Sequence, residues 1–216
     1  MKKTVNRPGV RLYTESFGNA SNPPVLLIAG AMAPALWWND RFCRSLADEE
    51  YYVLRFDNRD IGRSTHFPQN APGITEALWK GLMGNPMYQD FRRGAPEFLK
   101  VWRYLHGSVE LDEHAADDYT KALYETETIG PAWNHTNIQQ GIRDILTELE
   151  KLEIPILFIH GNEDYLAADP ENVRRLAEYL PNAECCMLPG VGHMFFNDEL
   201  WDTIQERVTG NFNKVG

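Results

Sequence analysis

Ile154-Pro-Ile-Leu-Phe-Ile-His-Gly-Asn-Glu-Asp164 carries the reading of the fold. Ile154–Ile159 is a short run that is apolar at nearly every position, the pattern of a strand covered on both faces inside a parallel sheet. Asn172–Leu180 then has helical spacing and Glu184–Leu188 is strand-like again. Strand, helix, strand is the unit that builds parallel sheets. A tight turn, Met187-Leu-Pro-Gly-Val-Gly-His193, follows the second strand. In open parallel sheets, ligands and catalytic groups gather at the carboxyl ends of strands, and both Asp164 and His193 stand there. Singly, Asp164 is a turn or N-cap residue and His193 a loop histidine. Jointly, a carboxylate followed by an imidazole at adjacent strand ends suits an acid orienting a general base.

The N-terminal third alternates in the same way. Val10–Phe17 suits a half-buried strand, Val25–Ile28 an inner apolar one, and Tyr52–Phe56 a further strand ending at Asp57. Leu36–Ala47 has helical spacing through Trp37, Trp38, Phe42 and Leu46. Residues 66–153 differ: Ala77–Met83, Pro96–Leu105, Glu113–Tyr124 and Asn137–Leu152 read as helices separated by Gly and Pro signals. This stretch is rich in aromatic residues, which suits ordinary helical core first and a lid over an apolar pocket second. Leu200–Val208 has the spacing of an amphipathic helix.

Together with Val25-Leu-Leu-Ile-Ala-Gly-Ala-Met32 and Arg55-Phe-Asp-Asn-Arg-Asp-Ile-Gly-Arg-Ser-Thr65, the two C-terminal motifs resemble the alpha/beta-hydrolase superfamily. Gly9–Gly18, the Trp37 region and Asp57–Thr65 are similar to its esterase branch around aclacinomycin methylesterase. The resemblance implies an α/β fold, a reduced alpha/beta-hydrolase-like parallel sheet flanked by helices, with a helical cap segment. It implies Asp164 as the triad acid and His193 as the triad histidine. It also implies Ala31, with Met32 beside it, as the oxyanion donor in the loop after the third strand. Asp57, Arg59, Gly62 and Ser64 match a family turn that is structural, its Asp and Arg bonding the backbone.

The family's Gly-x-Ser-x-Gly nucleophile elbow has no counterpart. The serines are Ser16, Ser21, Ser45, Ser64 and Ser108, and none has Gly at both −2 and +2. Ser64 and Ser108 are weak candidates, because the strand-to-helix elbow is what activates the hydroxyl. Two family strands with their helices, at least ~30 residues for each such unit, are absent after Thr65. The expected repair is direct parallel pairing of Val25–Ile28 with Ile156–Ile159, with the helical segment 75–153 as one long crossover.

The expected organisation is one domain over 1–216, its core in 1–65 and 154–216 and its cap or crossover in 66–153. With 21 basic and 31 acidic residues the net charge is −10, which argues against nucleic acid or an anionic membrane as partner. Val25–Trp38 is too short and too interrupted to span a bilayer, and Asn6, Arg7 and Pro8 stand where a signal peptide needs an apolar run. A soluble, cytoplasmic protein is expected. Cys43, Cys185 and Cys186 do not make a disulfide framework. Neither a metal nor a cofactor is expected, since metal-ligand spacings and phosphate loops are lacking. The expected function is that of a carboxylic-ester hydrolase lineage, weakly active or inactive, acting on a small apolar ester-like molecule. The alternative is a non-catalytic small-ligand-binding or interaction protein on the same fold. A partner chain supplying the missing strands is a further alternative without support in the sequence.

Overall fold

The computed structural model describes residues 2–30, 33–67, 96–126, 150–151, 153–166 and 168–212. The chain divides into two compact units, Met1–Glu97 with Asp117–Gln140, and Phe98–Ala116 with Gly141–Gly216.

In the first unit, β1 (Lys2–Arg7) and β2 (Val10–Phe17) form an antiparallel hairpin closed at Arg7↔Val10. Gly9 takes a positive φ of 76° after Pro8 in the turn, as the third residue of a type II turn requires. Nothing in the apolar pattern announced β1, whose single large apolar residue is Val5; it exists through ladder pairing rather than burial. β4 (Tyr52–Phe56) lies between β2 and β3 (Pro24–Leu27), antiparallel to the first and parallel to the second, in the order β1-β2-β4-β3. Its Val53 and Arg55 point into the core. There β4 packs against α1 (Asp40–Asp48), whose buried residues are Phe42, Cys43 and Leu46. The helix expected over Leu36–Ala47 is split into a short 3-10 turn, Ala35–Trp37, and α1. Asn39 is the reason: its side chain accepts the Phe42 N–H at 2.7 Å and caps the helix there.

Arg55 ties this unit together, its side chain 7% exposed. Its Nε donates to Glu15 Oε2 at 2.8 Å, its Nη2 to Asp40 Oδ1 at 2.5 Å and again to Glu15, and its Nη1 to the Trp38 carbonyl. Tyr13 donates its hydroxyl to Glu15 Oε1 at 2.5 Å. Burial pushes the Glu15 carboxyl up, but the Tyr13 and Arg55 hydrogen bonds and the Arg55 and Lys2 charges outweigh it and leave it below its ordinary value. A carboxylate depressed in this way adds stability that is present above its unfolded pKa and lost as pH falls through the folded one. Asp57 has the opposite sign, because burial raises it more than the Arg63 and Ala35 amides lower it. Glu15→Gln should therefore flatten the acid limb. Its urea midpoint, compared at about pH 7 and about pH 3, should fall less than that of the unaltered chain. Equal falls would contradict the assignment.

The turn after β4 is locked by the Asp57 carboxylate. Asp57 accepts the Ala35 N–H at 2.8 Å and the Arg63 N–H at 2.9 Å. Arg59 pairs with the Asp60 carboxylate at 3.2 Å and lies over the Phe67 ring.

The second unit contains α2 (Pro96–His106) from Phe98 onward, the first turn of α3 (Glu113–Glu125), β5 (Ile156–Gly161), α4 (Pro170–Tyr179), β6 (Ala183–Leu188) and α5 (Asp198–Phe212). β5 and β6 pair in parallel, from Ile156↔Ala183 to Gly161↔Leu188. α4 crosses between them with Asp169 capping its start by accepting the Glu171 N–H and Pro170 in its first turn. Trp102 meets Phe196 edge to face at 5.5 Å, and Trp201 is buried on α5.

The expected pairing of Val25–Ile28 with Ile156–Ile159 is not among the ladders of the described residues. β3 and β5 belong to separate sheets, β3 laddered to β4 and β5 to β6 among the described residues. Leu26 and Ile28 stay 56% and 60% exposed. An apolar run states that a strand suits cover; it does not name the partner. Of the expected helices, Ala77–Met83 lies outside the described residues. So does Asn137–Leu152, apart from a turn at Glu150 and Lys151 and without a description of Leu152. No helix among the described residues is long and apolar enough to cross a membrane.

Candidate active site

Because β5 and β6 run in parallel and in register, they end side by side at Gly161 and Leu188, and the turns that leave them stay together. Asn162 N–H donates to the Leu188 carbonyl at 3.0 Å, Glu163 N–H to the Val191 carbonyl at 3.0 Å, and Gly190 N–H to Asn162 Oδ1 at 2.6 Å. The backbones approach so closely that a Cβ on Gly161 would overlap the Val191 carbonyl, and one on Gly192 the Leu105 carbonyl. Only glycine fits at either place.

These turns bring Asp164 Oδ2 to 3.0 Å from His193 Nδ1. Asp164 is buried, and its Oδ1 accepts the Leu166 N–H at 3.0 Å. A carboxylate only accepts, so Nδ1 carries the hydrogen and a neutral His193 holds its lone pair on Nε2. The His193 side chain is 36% exposed, and its Nε2 makes no hydrogen bond among the described residues. The pair thus offers a base nitrogen backed by a buried carboxylate.

His160 stands beside it, which the sequence reading missed. Its Nε2 donates toward the Asp164 and Ala168 carbonyls at 3.2 and 3.1 Å, and its Nδ1 lies 3.9 Å from Asp164 Oδ2. The available signal was its place next to the end of the strand, four residues before the acid. Ala31 and Met32 lie outside the described residues. Ser64 is buried, donates to the Asp57 carbonyl at 2.6 Å and accepts the Tyr13 N–H at 3.0 Å, so its hydroxyl locks the turn after β4. Ser108 is exposed and donates to Glu163 Oε1 at 2.7 Å, not to His193. No cluster of three His, Cys, Asp or Glu side chains able to hold a metal occurs among the described residues. A groove of about 700 Å³ in the first unit, lined by Lys2, Glu15, Phe17, Asp40, Arg44 and Tyr52 among others, pairs Lys2 with Glu15 and Arg44 with Asp40 and contains no histidine.

A strand order of β1-β2-β4-β3, a parallel βαβ unit, and an acid and a histidine after its two strands make this a reduced alpha/beta-hydrolase fold. No family model matches the chain. Among solved structures it is similar to the esterase RhEst1 from Rhodococcus sp. ECU1013, with a TM-score of 0.69 and 15% identity over 100% of this chain and 99% of that one. It is similar also to the enol-lactonase from Burkholderia xenovorans LB400, with a TM-score of 0.67 and 18% identity over 98% of this chain and 100% of that one. At these identities the likeness is one of fold. In sequence the chain is similar to the rhodomycin D methylesterase DauP of Streptomyces sp. (strain C5), 37% identical over 130 residues, 51% of this chain and 44% of the relative. It is 36% identical over 130 residues to the rhodomycin D methylesterase DnrP of Streptomyces peucetius, with the same shares covered. The match thus spans less than half the length of these relatives.

Proposed function

We propose that the chain is a carboxylic-ester hydrolase by lineage that keeps the acid and histidine of the site, Asp164 and His193, without a serine elbow, and turns over esters weakly. The 3.0 Å bond from His193 Nδ1–H to Asp164 carries this reading. His193 Nε2 takes a proton from water, whose oxygen bonds to the ester carbonyl carbon. The imidazolium, stabilised by Asp164, returns the proton to the departing alkoxide, leaving a carboxylic acid and an alcohol. Without a covalent serine intermediate the difficult step is not divided, so turnover is slow. Ala31 and Met32 are proposed as oxyanion donors on the motif alone. The names of the two Streptomyces relatives favour a methyl ester as the bond broken; we propose a small apolar ester-like substrate and place the protein in the cytoplasm.

The serine inventory supports a second reading, a protein on the same fold that binds a small ligand without turning it over. Fluorophosphonate labelling of the purified chain, beside a His193→Ala control and mapped by mass spectrometry, separates these from a full hydrolase. No labelled serine is expected. One serine labelled stoichiometrically in the parent and unlabelled in the control would mean that a nucleophile exists and the turnover is not weak for want of one. Ligand-induced stabilisation without any hydrolysis would favour the second reading.

A further inference from the structure

The loop that carries His193 is held by another element. Gly192 N–H donates to the His106 carbonyl at 2.7 Å and Met194 N–H to the Leu105 carbonyl at 3.0 Å. The amides on either side of His193 therefore rest on carbonyls at the end of α2, which a helix leaves without partners of its own. The end of α2 is fixed in turn. Buried His106 has its ring nitrogens 3.0 Å from the Val109 carbonyl and 3.0 Å from Asn197 Oδ1, and its ring lies parallel to Phe196. Asn197 is oriented by donating Nδ2–H to the Glu110 carbonyl at 2.7 Å. Two residues beyond His106, Ser108 donates both its hydroxyl and its N–H to the Glu163 carboxylate, each at 2.7 Å, and shares the N–H with the Gly190 carbonyl at 2.9 Å. Glu163 adjoins the acid and Gly190 precedes the histidine, so Ser108 joins both turns at one point.

We propose that Ser108 is a positioning residue and not a nucleophile: with Glu163 it clamps the end of α2 between the acid turn and the histidine turn, and so holds His193 in its bond to Asp164. Two hydrogen bonds to one carboxylate are charge-assisted and fix direction as well as distance. Three successive side chains then fasten three things: Asn162 the histidine turn, Glu163 the end of α2, and Asp164 the imidazole. The proposal rests on the acid–histidine pair of the preceding section, and its test does not depend on turnover.

In protein labelled with ¹⁵N-histidine, the His193 Nδ1–H should give a low-field proton resonance that Asp164→Ala removes. Ser108→Ala and Glu163→Gln should each speed exchange of that proton with water about tenfold. Ser108→Thr, which keeps the hydroxyl, should restore the slow rate. The double variant Ser108→Ala/Glu163→Gln should exchange no faster than either single one, since one clamp cannot be lost twice. Glu171→Gln, which removes an exposed carboxylate from the same unit, should leave the rate unchanged and so exclude a net-charge effect. Exchange within twofold of the unaltered chain in both single variants would overturn the clamp, as would additive effects or a faster rate matched by a fall in Tm. With the Asp164-dependent resonance present, those results leave the pair standing. Its absence from the unaltered protein would overturn both the pair and the clamp.

Discussion

Replacing His193 by alanine should lower ester turnover by about two to four orders of magnitude, the worth of a positioned general base. The buried Asp164 accepts the Nδ1–H, so a neutral ring has its free electron pair on Nε2. Alanine leaves no group there to take a proton from water. Asp164→Asn should fall about as far for a different reason: the amide's NH₂ can donate to Nδ1 and turn the ring to the tautomer whose lone pair faces inward. Because the two residues act as a unit, the double variant should be no slower than His193→Ala alone. Hydrolysis of an activated ester, followed with purified parent and variants, checks this. Parent and His193→Ala turning over at the same rate would remove His193 from the chemistry.

The largest stability effect should come from Arg55. Arg55→Met should cost about 3–5 kcal/mol, as expected when one partner of a buried pair is removed and the other charge stays buried. It leaves Glu15 enclosed with Tyr13 and Lys2 beside it, and removes the guanidinium hydrogen bond to the Trp38 carbonyl. For a chain of this length that is a fall of about 10 °C in Tm. Arg55→Met/Glu15→Gln should regain part of the loss, because the enclosed carboxylate is then neutral. Urea unfolding of the three proteins measures both effects. An Arg55→Met loss below about 1 kcal/mol, the range of exposed pairs, would show that the pair is solvated rather than buried.

Much of the secondary structure is legible in the sequence. Tyr52–Phe56 reads as the strand it is, and Pro96–Leu105 and Glu113–Tyr124 fall within a residue of α2 and α3. Periodicity and capping act over a few residues, so a local pattern suffices. The misreadings have specific causes. β1 is polar and owes its form to a partner strand; the helix around Trp37 and Trp38 is cut by one asparagine side chain that the apolar spacing concealed. Val25–Ile28 reads as an inner strand, yet its length and apolarity do not say which strand lies beside it.

The site divides along the same line. The residue order alone establishes that an acid and a histidine follow two strands of one βαβ unit, and that no Gly-x-Ser-x-Gly lies anywhere in the chain. It establishes too that the 162–164 turn carries three polar side chains in a row. That Asp164 reaches His193, that Ser64 serves a turn, and that Ser108 meets Glu163 emerges in the folded chain. Those contacts join residues 29, 7 and 55 positions apart. At the longer separations, which groups meet depends on the register of β5 with β6 and on where the end of α2 packs. That register and packing arise when distant segments bury surface against one another, and nothing within a few residues of Ser108 encodes it.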